Sequence, residues 1–361
     1  MADFNVNHIT GKQGQQGTVL AGVTTVSSTG AMRIPSGSSA YRGNSGRGIF
    51  ASGWDGSGNS IKNIDFINIA STGNATAWGE IITAGMALGS GASNNIRGVY
   101  CGGFTAAPTN ARISTIQALT IPTAGEIFNF GDLQFNSQQM SGVGNATRGV
   151  YAMGYAYPNM SPVSSNSINM HYTMIHFMSS ANRTDFGDIV PGAGSRDLAT
   201  CETPIRGYFA GGEGTDQSPT NNKNITIKGF ANNSESLNFG ELSTHSQRGA
   251  AVGSATRGCF IIGSSIPAYI NTIEYITLTT SGETSDFGDA TSNAGVINNN
   301  SASNTIRGVY HIGRSTPGGS ILDTLDYITI ATTGNAQDFG DLNYVARSGC
   351  GFSDSHGGLD H

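Results

Sequence analysis

Seven histidines, four cysteines and 24 acidic residues are the side chains of this chain that could do chemistry. The densest group lies at the C-terminus, where His356 and His361 stand beside Asp354 and Asp360. Imidazoles and carboxylates so spaced could hold a divalent metal, but a solvated chain end is the expected reading. His171 and His176 differ by an odd number of positions, so on one strand they face opposite ways and do not share a ligand. Cys101, Cys201, Cys259 and Cys350 form no Cys-x-x-Cys pair and read as small buried apolar residues. The sequence contains no GxxxxGK[ST], HExxH or GxSxG. A glycosidase needs two carboxylates placed in space, and nothing in the spacing selects such a pair. No cofactor, metal or catalytic residue is expected.

The charged residues that recur do so with a period. Arg47, Arg97, Arg148, Arg206, Arg257 and Arg307 each precede a glycine, at spacings of 50, 51, 58, 51 and 50. An aromatic-Gly-acid triplet follows each, ending at Glu80, Asp132, Asp188, Glu241, Asp289 and Asp341. One arginine and one acid per repeat suggest a structural pair, partly buried and hydrogen-bonded across strands or repeats. The competing reading is a ring of arginines around a channel, binding an anion. The frame reading is adopted because every repeat carries both residues.

Four strands per repeat account for the intervals. The second strand follows Arg-Gly, as in GVYCGGF at 98–104. The third alternates apolar and polar residues, as in IDFINIA at 64–70 and LDYITIA at 325–331, which predicts a half-buried strand. The turns STGN (71–74), TAGE (123–126), TSGE (280–283) and TTGN (332–335) place a glycine where positive φ is needed. SSANR (179–183) and NNSES (232–236) lack that glycine, so altered tips are expected there, with asparagine able to take the left-handed conformation. Six four-stranded units predict an all-β, six-bladed propeller. The tail at 343–361 matches the segments that precede Arg97, Arg206 and Arg307, so it should supply the innermost strand of the blade that starts at Arg47 and close the ring. Residues 46–361 thus form the propeller, with repeats starting near 47, 97, 148, 206, 257 and 307. Residues 1–45 form a short N-terminal β arm, with VTTVSSTGAMRI as a hairpin turning at Gly30.

Charged residues make up 12% of the chain, about half the usual ~25%, and Gly accounts for 52 residues. The net charge of −6 without a basic cluster argues against nucleic-acid binding. No apolar run approaches the ~18 residues of a membrane span, and the N-terminus lacks the pattern of a signal peptide.

The order of features resembles kelch-type propellers. VYCGGF ends in Gly-Gly, LDYITIA carries the tyrosine, Trp78 or its matching Phe follows, and Arg248 and Arg347 supply the basic residue in two repeats. Gly-Gly is intact only in some blades, as at Gly102-Gly103 and Gly211-Gly212, and Phe replaces Trp in five. A resemblance over nearly the whole chain is to repeat proteins of marine and cyanobacterial bacteriophages, carried by DYITIATTGNAQDFGDL, TIRGVY, SHGGL and AGVTTVSSTGAMRIPSG. That resemblance implies a virion structural component: a tail fibre, an appendage or a head decoration.

The expected function is therefore non-enzymatic, a propeller that serves as an adhesion or interaction platform in the virion. Two alternatives are a carbohydrate-active propeller enzyme acting on host glycans and a cellular kelch-like interaction module. The expected partners are other virion proteins, through the N-terminal arm, and a host surface glycan or protein. Nucleic acid and membrane insertion are not expected, and a homo-oligomer is compatible with the sequence. Loops at 105–112, 155–167, 212–222 and 264–269 vary in length on a constant frame, which marks them as the binding rim.

Overall fold

Six Arg-Gly steps become six strand starts. The computed structural model describes residues 46–359, apart from 83–84, 107–108, 124–126, 158–169, 180–182, 191–192, 194, 214–221, 266–267, 295–297 and 316–318, together with three short strands between 18 and 33. The second strands of the six sheets are Arg47–Trp54, Arg97–Cys101, Arg148–Ala152, Arg206–Ala210, Arg257–Ile261 and Arg307–His311. Each pairs on its inner side with a short strand and on its outer side with the alternating strand of its repeat. The aromatic-Gly-acid strand comes last. The result is a six-bladed β-propeller. Loops between second and third strands, and the connections from each outer strand to the next blade, share one end, the loop face. The tight turns share the other, the turn face.

Closure comes from the C-terminus. Cys350–Ser353 pairs antiparallel with Arg47–Trp54, in register Cys350 to Ala51 and Phe352 to Ile49. The next residues complete the likeness to the other blades. Asp354 Oδ1 accepts the Arg47 amide at 2.7 Å, as Asn94, Asn145 and Asn304 accept the amides of Arg97, Arg148 and Arg307. Ser254 and Thr203 do the same for Arg257 and Arg206. Short polar side chains hold such turns by bonding the backbone two or three residues on. At the N-terminus, Thr24–Val26 pairs with Met32–Arg33 and with Thr18–Leu20. The Gly30 turn lies outside the described residues.

Half-burial of the third strands holds only at their turn-face ends, where Asn68, Thr277 and Thr329 are exposed. The polar positions further in, Asp65, Gln117, Thr173, Thr226, Glu274 and Asp326, are all buried; Thr173 is the most open at 7%. A blade is packed on both faces by its neighbours, so the polar side of the alternation also meets protein. The carboxylates there anchor the exit of the preceding blade's outer strand. Asp65 Oδ2 accepts the Asn343 amide at 2.7 Å, Glu274 the Ser243 amide at 3.0 Å and Asp326 the Thr291 amide at 3.1 Å. Gln117 Oε1 accepts from Ile82 at 2.7 Å. The apolar side forms clusters that bridge blades: Val252, Ile273 and Phe287 pack with Tyr310 and Ile328.

The arginines do tie blade to blade, but to carbonyls rather than to acids. Arg47 Nη1 donates to the Ile121 carbonyl of the next blade at 2.7 Å, and Arg97 and Arg148 to Phe177 and Phe230. Arg257 reaches Ile330 and Ala331, and Arg307 reaches Ile69 at 3.1 Å. Where Arg206 would reach Leu278, the Tyr208 hydroxyl donates instead. Aromatic faces hold the guanidinium groups: Arg257 lies 4.5 Å from the Tyr275 centroid and Arg307 4.3 Å from Tyr327. Glu80, Asp132, Asp188 and Asp289 stand exposed on the outer strands. Asp188 pairs with His171, and Glu241 with Lys223. The Asp289 and Asp341 amides donate to Asn335 and Asn74 of the adjoining turns.

The two glycine motifs meet each other. The turn of one blade runs beside the outer strand of the blade before it, main chain to main chain. Gly73 and Ala75 amides donate to Phe339 and Asp341, and Gly334 and Ala336 amides to Phe287 and Asp289, all at 2.8 Å. Gly240–Glu241 and Gly282–Glu283 pair as a short parallel ladder. A Cβ on Gly240 would stand 1.9 Å from the Gly282 carbonyl oxygen, so glycine is required for that approach. The tip at 232–236 is indeed altered, though without a left-handed asparagine. Asn232 Oδ1 accepts from Ser234, and the buried Lys228 ammonium donates to the Asn232 and Ser234 carbonyls. Most of the 179–183 tip lies outside the described residues.

Candidate functional site

Glycine, alanine and serine dominate the inner strands, and this lets six of them surround an axis. Their hydroxyls tie neighbouring strands: Ser93 Oγ donates to the Ser353 carbonyl at 2.6 Å, Thr200 Oγ1 to Gly142 at 2.8 Å and Ser301 Oγ to Ala251 at 2.8 Å. The channel they line holds Glu202 and His356 as its titratable side chains apart from Cys201.

The turn-face mouth is plugged by the chain itself. Asp354 to Leu359 are buried, so His356 is not part of a solvated end. His356 Nδ1 lies 2.6 Å from Glu202 Oε1, and Nε2 lies 2.9 Å from the Ser93 carbonyl oxygen. Burial opposes the imidazolium, but Glu202 and the Ser93 carbonyl outweigh it, so His356 titrates above its ordinary value. Asp360 and His361 lie outside the described residues, and among those described no cluster of metal-ligating side chains occurs.

A pH dependence follows. A histidine whose pKa is raised by folding contributes stability that is complete below ~6.5, its unfolded value. That contribution is lost as pH rises through the folded value. Thermal stability should therefore fall as pH rises above ~6.5, and His356→Gln should flatten that limb at a cost of about 1.5–3 kcal/mol at pH 6. Melting curves of both proteins across the range give the answer; parallel limbs would assign the loss to another group. His311, buried and pushed down to about 4, acts only on the acid side of this window.

At the loop-face mouth a second ring closes the axis. Leu88, Gln139, Asp197, Arg248, Asn298 and Ser348 enter the six inner strands with φ between 55° and 58°. Five of the six amides bond the carbonyl of the residue before them in the ring: Leu88 to Ser348, Gln139 to Leu88, Asp197 to Gln139, Arg248 to Asp197 and Asn298 to Arg248, at 2.7–3.2 Å. The sixth link, Ser348 to Asn298, is not bonded; it falls where the first and last blades meet. Buried Asp197 gathers the Gln139 and Asn298 amide groups and, at 3.4 Å, Arg248 Nε. Burial raises its carboxyl, against the pull of Arg248 and Arg196.

Arginines surround this ring in two unlike sectors. Over blades two to four, Arg196 stacks 3.9 Å from the Tyr155 centroid and pairs with Glu213, while Arg112 lies 5.6 Å from the same tyrosine. Over blades five, six and one stand Arg248, Arg314 and Arg347. Arg347 stacks 4.7 Å from the Trp54 centroid, and two backbone bonds of 2.9 and 3.0 Å lock the two residues together. Burial lowers the Arg347 guanidinium from the usual arginine value, and the charges of Arg314 and Arg248 press the same way.

Of the loops expected to form a binding rim, most of 155–167 and 212–222 lies outside the described residues; 105–112 and 264–269 are described in part. Arg248 and Arg347, noted in the sequence only as a kelch-like feature, are brought to one mouth, and Arg314 joins them unannounced. Five of the six Arg-Gly arginines reach the next blade, Arg206 stands exposed, and none of the six lines the channel. All four cysteines are buried, which pushes their thiols up, to about 12 for Cys259 and Cys350. No family model matches the chain, and no curated protein shows significant similarity to it.

Proposed function

We propose that this chain is a non-enzymatic structural component of a bacteriophage particle, whose propeller binds through its loop face while the N-terminal segment attaches it. One observation carries the platform reading. The recurring polar residues tie blades to one another, whereas the features that differ between blades gather around the loop-face mouth. The turn-face end of the axis is filled by residues 354–359, whereas arginines and aromatic rings from several blades surround the ring at the loop-face end. The phage assignment draws on the resemblance in sequence, and the N-terminal strands, which among the described residues pair only with one another, suit an attachment segment.

Antibody labelling and mass spectrometry of purified particles test the assignment. The chain should be present, and deletion of residues 1–40 should leave a folded propeller that no longer incorporates. Absence from particles would end the virion reading, and normal incorporation of the deletion would end the anchoring role.

A further inference from the structure

We infer that the sector formed by Arg248, Arg314 and Arg347 is a binding site for an acidic saccharide, with its carboxylate on the arginines and its sugar ring beside Trp54 and Tyr269. The inference deepens the platform reading and rests on it for biological meaning. Its physical basis is separate.

Three arginines from blades five, six and one reach one mouth in a chain whose net charge is −6: the Asn298 amide bonds the Arg248 carbonyl at 3.1 Å, and Leu322 joins the Gly313 carbonyl before Arg314 (2.9 Å) to the Ala346 amide before Arg347 (3.3 Å). Arg248 has Asp197 within 3.4 Å. Arg314 and Arg347 have no acid partner among the described residues, and Nε of each is buried without a hydrogen bond. In the other sector Arg196, whose Nε is likewise buried without a hydrogen bond, has Glu213 as its acid partner and Tyr155 beneath it, so the missing acid is what sets Arg314 and Arg347 apart. Guanidinium forks match carboxylates in two-point geometry. Arg347 is fixed for that purpose, because its backbone is locked to Trp54 and its plane lies over the indole.

The mouth also holds unmet acceptors. Asn298 lies between Arg248 and Ser348 in the ring, and it is 6% exposed. Its Oδ1 has no donor, while its amide group is committed to Asp197. Gln247 Oε1 and Ser348 Oγ, in side chains 3% and 1% exposed, are likewise without partners. The residues of this mouth therefore include both donors without acceptors and acceptors without donors. A uronic acid offers both in one small unit, a carboxylate and several hydroxyls, and its C–H face suits an aromatic flank. Tyr269 is held at the same mouth by the backbone: it pairs with Ser264, which bridges to Gln247 beside Arg248.

The test uses the full chain with trigalacturonate, its neutral carboxyl-reduced counterpart, inorganic sulfate and an acidic hexapeptide. Binding is read by calorimetry and by tryptophan emission, since Trp54 lies under Arg347 and Trp78 lies in the outer strand of its blade. Trigalacturonate should bind and shift the emission. Arg314→Ala and Arg347→Lys should each weaken it at least tenfold, with melting temperatures close to that of the parent. Arg183→Ala, on the turn face, should leave binding unchanged. Equal binding of the neutral saccharide, or unchanged affinity in both arginine variants, would overturn the site. Tighter binding of sulfate alone or of the peptide would overturn the saccharide assignment. Saccharide binding is measured on the isolated chain and incorporation on purified particles, so failure here and failure of the virion reading are distinguishable.

Discussion

A chain ended after Leu342 loses its cooperative thermal transition. The deletion removes the innermost strand of the first blade and leaves Arg47–Trp54 as an open edge. It also removes contacts to both neighbouring blades. Phe352 packs 4.9 Å from the Tyr100 ring centroid in blade two, Ser93 donates to the Ser353 carbonyl, and Ser353 donates to Ser303 in blade six. Asp354 leaves the Arg47 amide, and His356 leaves Glu202. Phe352→Ala alone should cost about 3–5 kcal/mol. The whole segment should exceed the ~5–15 kcal/mol that separates folded from unfolded domains. Calorimetry should show one reduced but cooperative transition for Phe352→Ala and none for the truncation. A truncated chain that is soluble, with the parent's transition, would remove closure from the account of stability.

Gly240→Ala should be the most damaging single-methyl substitution at the blade seams. Its Cβ would stand 1.9 Å from the Gly282 carbonyl oxygen, and the obstacle is main chain, so no rotamer change relieves it. Either the seam opens or the turn at 280–284 moves, and Thr284 then leaves Glu274 and Glu241. Overpacking of this kind costs about 1–3 kcal/mol, and the upper end is expected here. Two other glycines separate the causes. Gly334 has open space around its Cβ position but φ of 154°, so alanine there should cost about 1–2 kcal/mol through conformation alone. Gly56 has open space without positive φ, and alanine should be near neutral. Denaturant midpoints in the order Gly56, Gly334, Gly240 support the seam. If Gly240→Ala were as mild as Gly56→Ala, close main-chain approach would not be its reason for being glycine.

The architecture was legible because its signals are periodic. Arg-Gly and aromatic-Gly-acid fixed the phase of six blades, and the unmatched tail announced its own partner strand. Pattern reading failed where the rule assumed a solvent face. Asp65, Glu274 and Asp326 look like the wet side of a strand, yet a neighbouring blade covers them and gives them amides to accept. The arginines were assigned to acids because charges suggest charges, whereas the groups within reach at the blade edges are the orphan carbonyls after each third strand. One signal was present and unread: a short polar residue three before each Arg, from Asn94 to Ser254, with Asp354 preceding Arg47 across the closure. The ring at the loop face had no signal at all. Leu88, Gln139, Asp197, Arg248, Asn298 and Ser348 are six different residue types, because their shared φ is imposed by the bonds they make and not by their side chains. The arginine sector was hidden for a related reason: it is assembled from three blades, and no sequence window contains it.

The ring of six has an electrical consequence. Five peptide links run head to tail in one rotational sense, so their dipoles lie along the circle and not along the axis. In an unbroken circle they would have no ends. The single missing link gives this one a positive pole at the Ser348 amide and a negative pole at the Asn298 carbonyl. The curl behaves as a short helix bent round until its termini nearly meet, and its positive terminus lies next to Arg347.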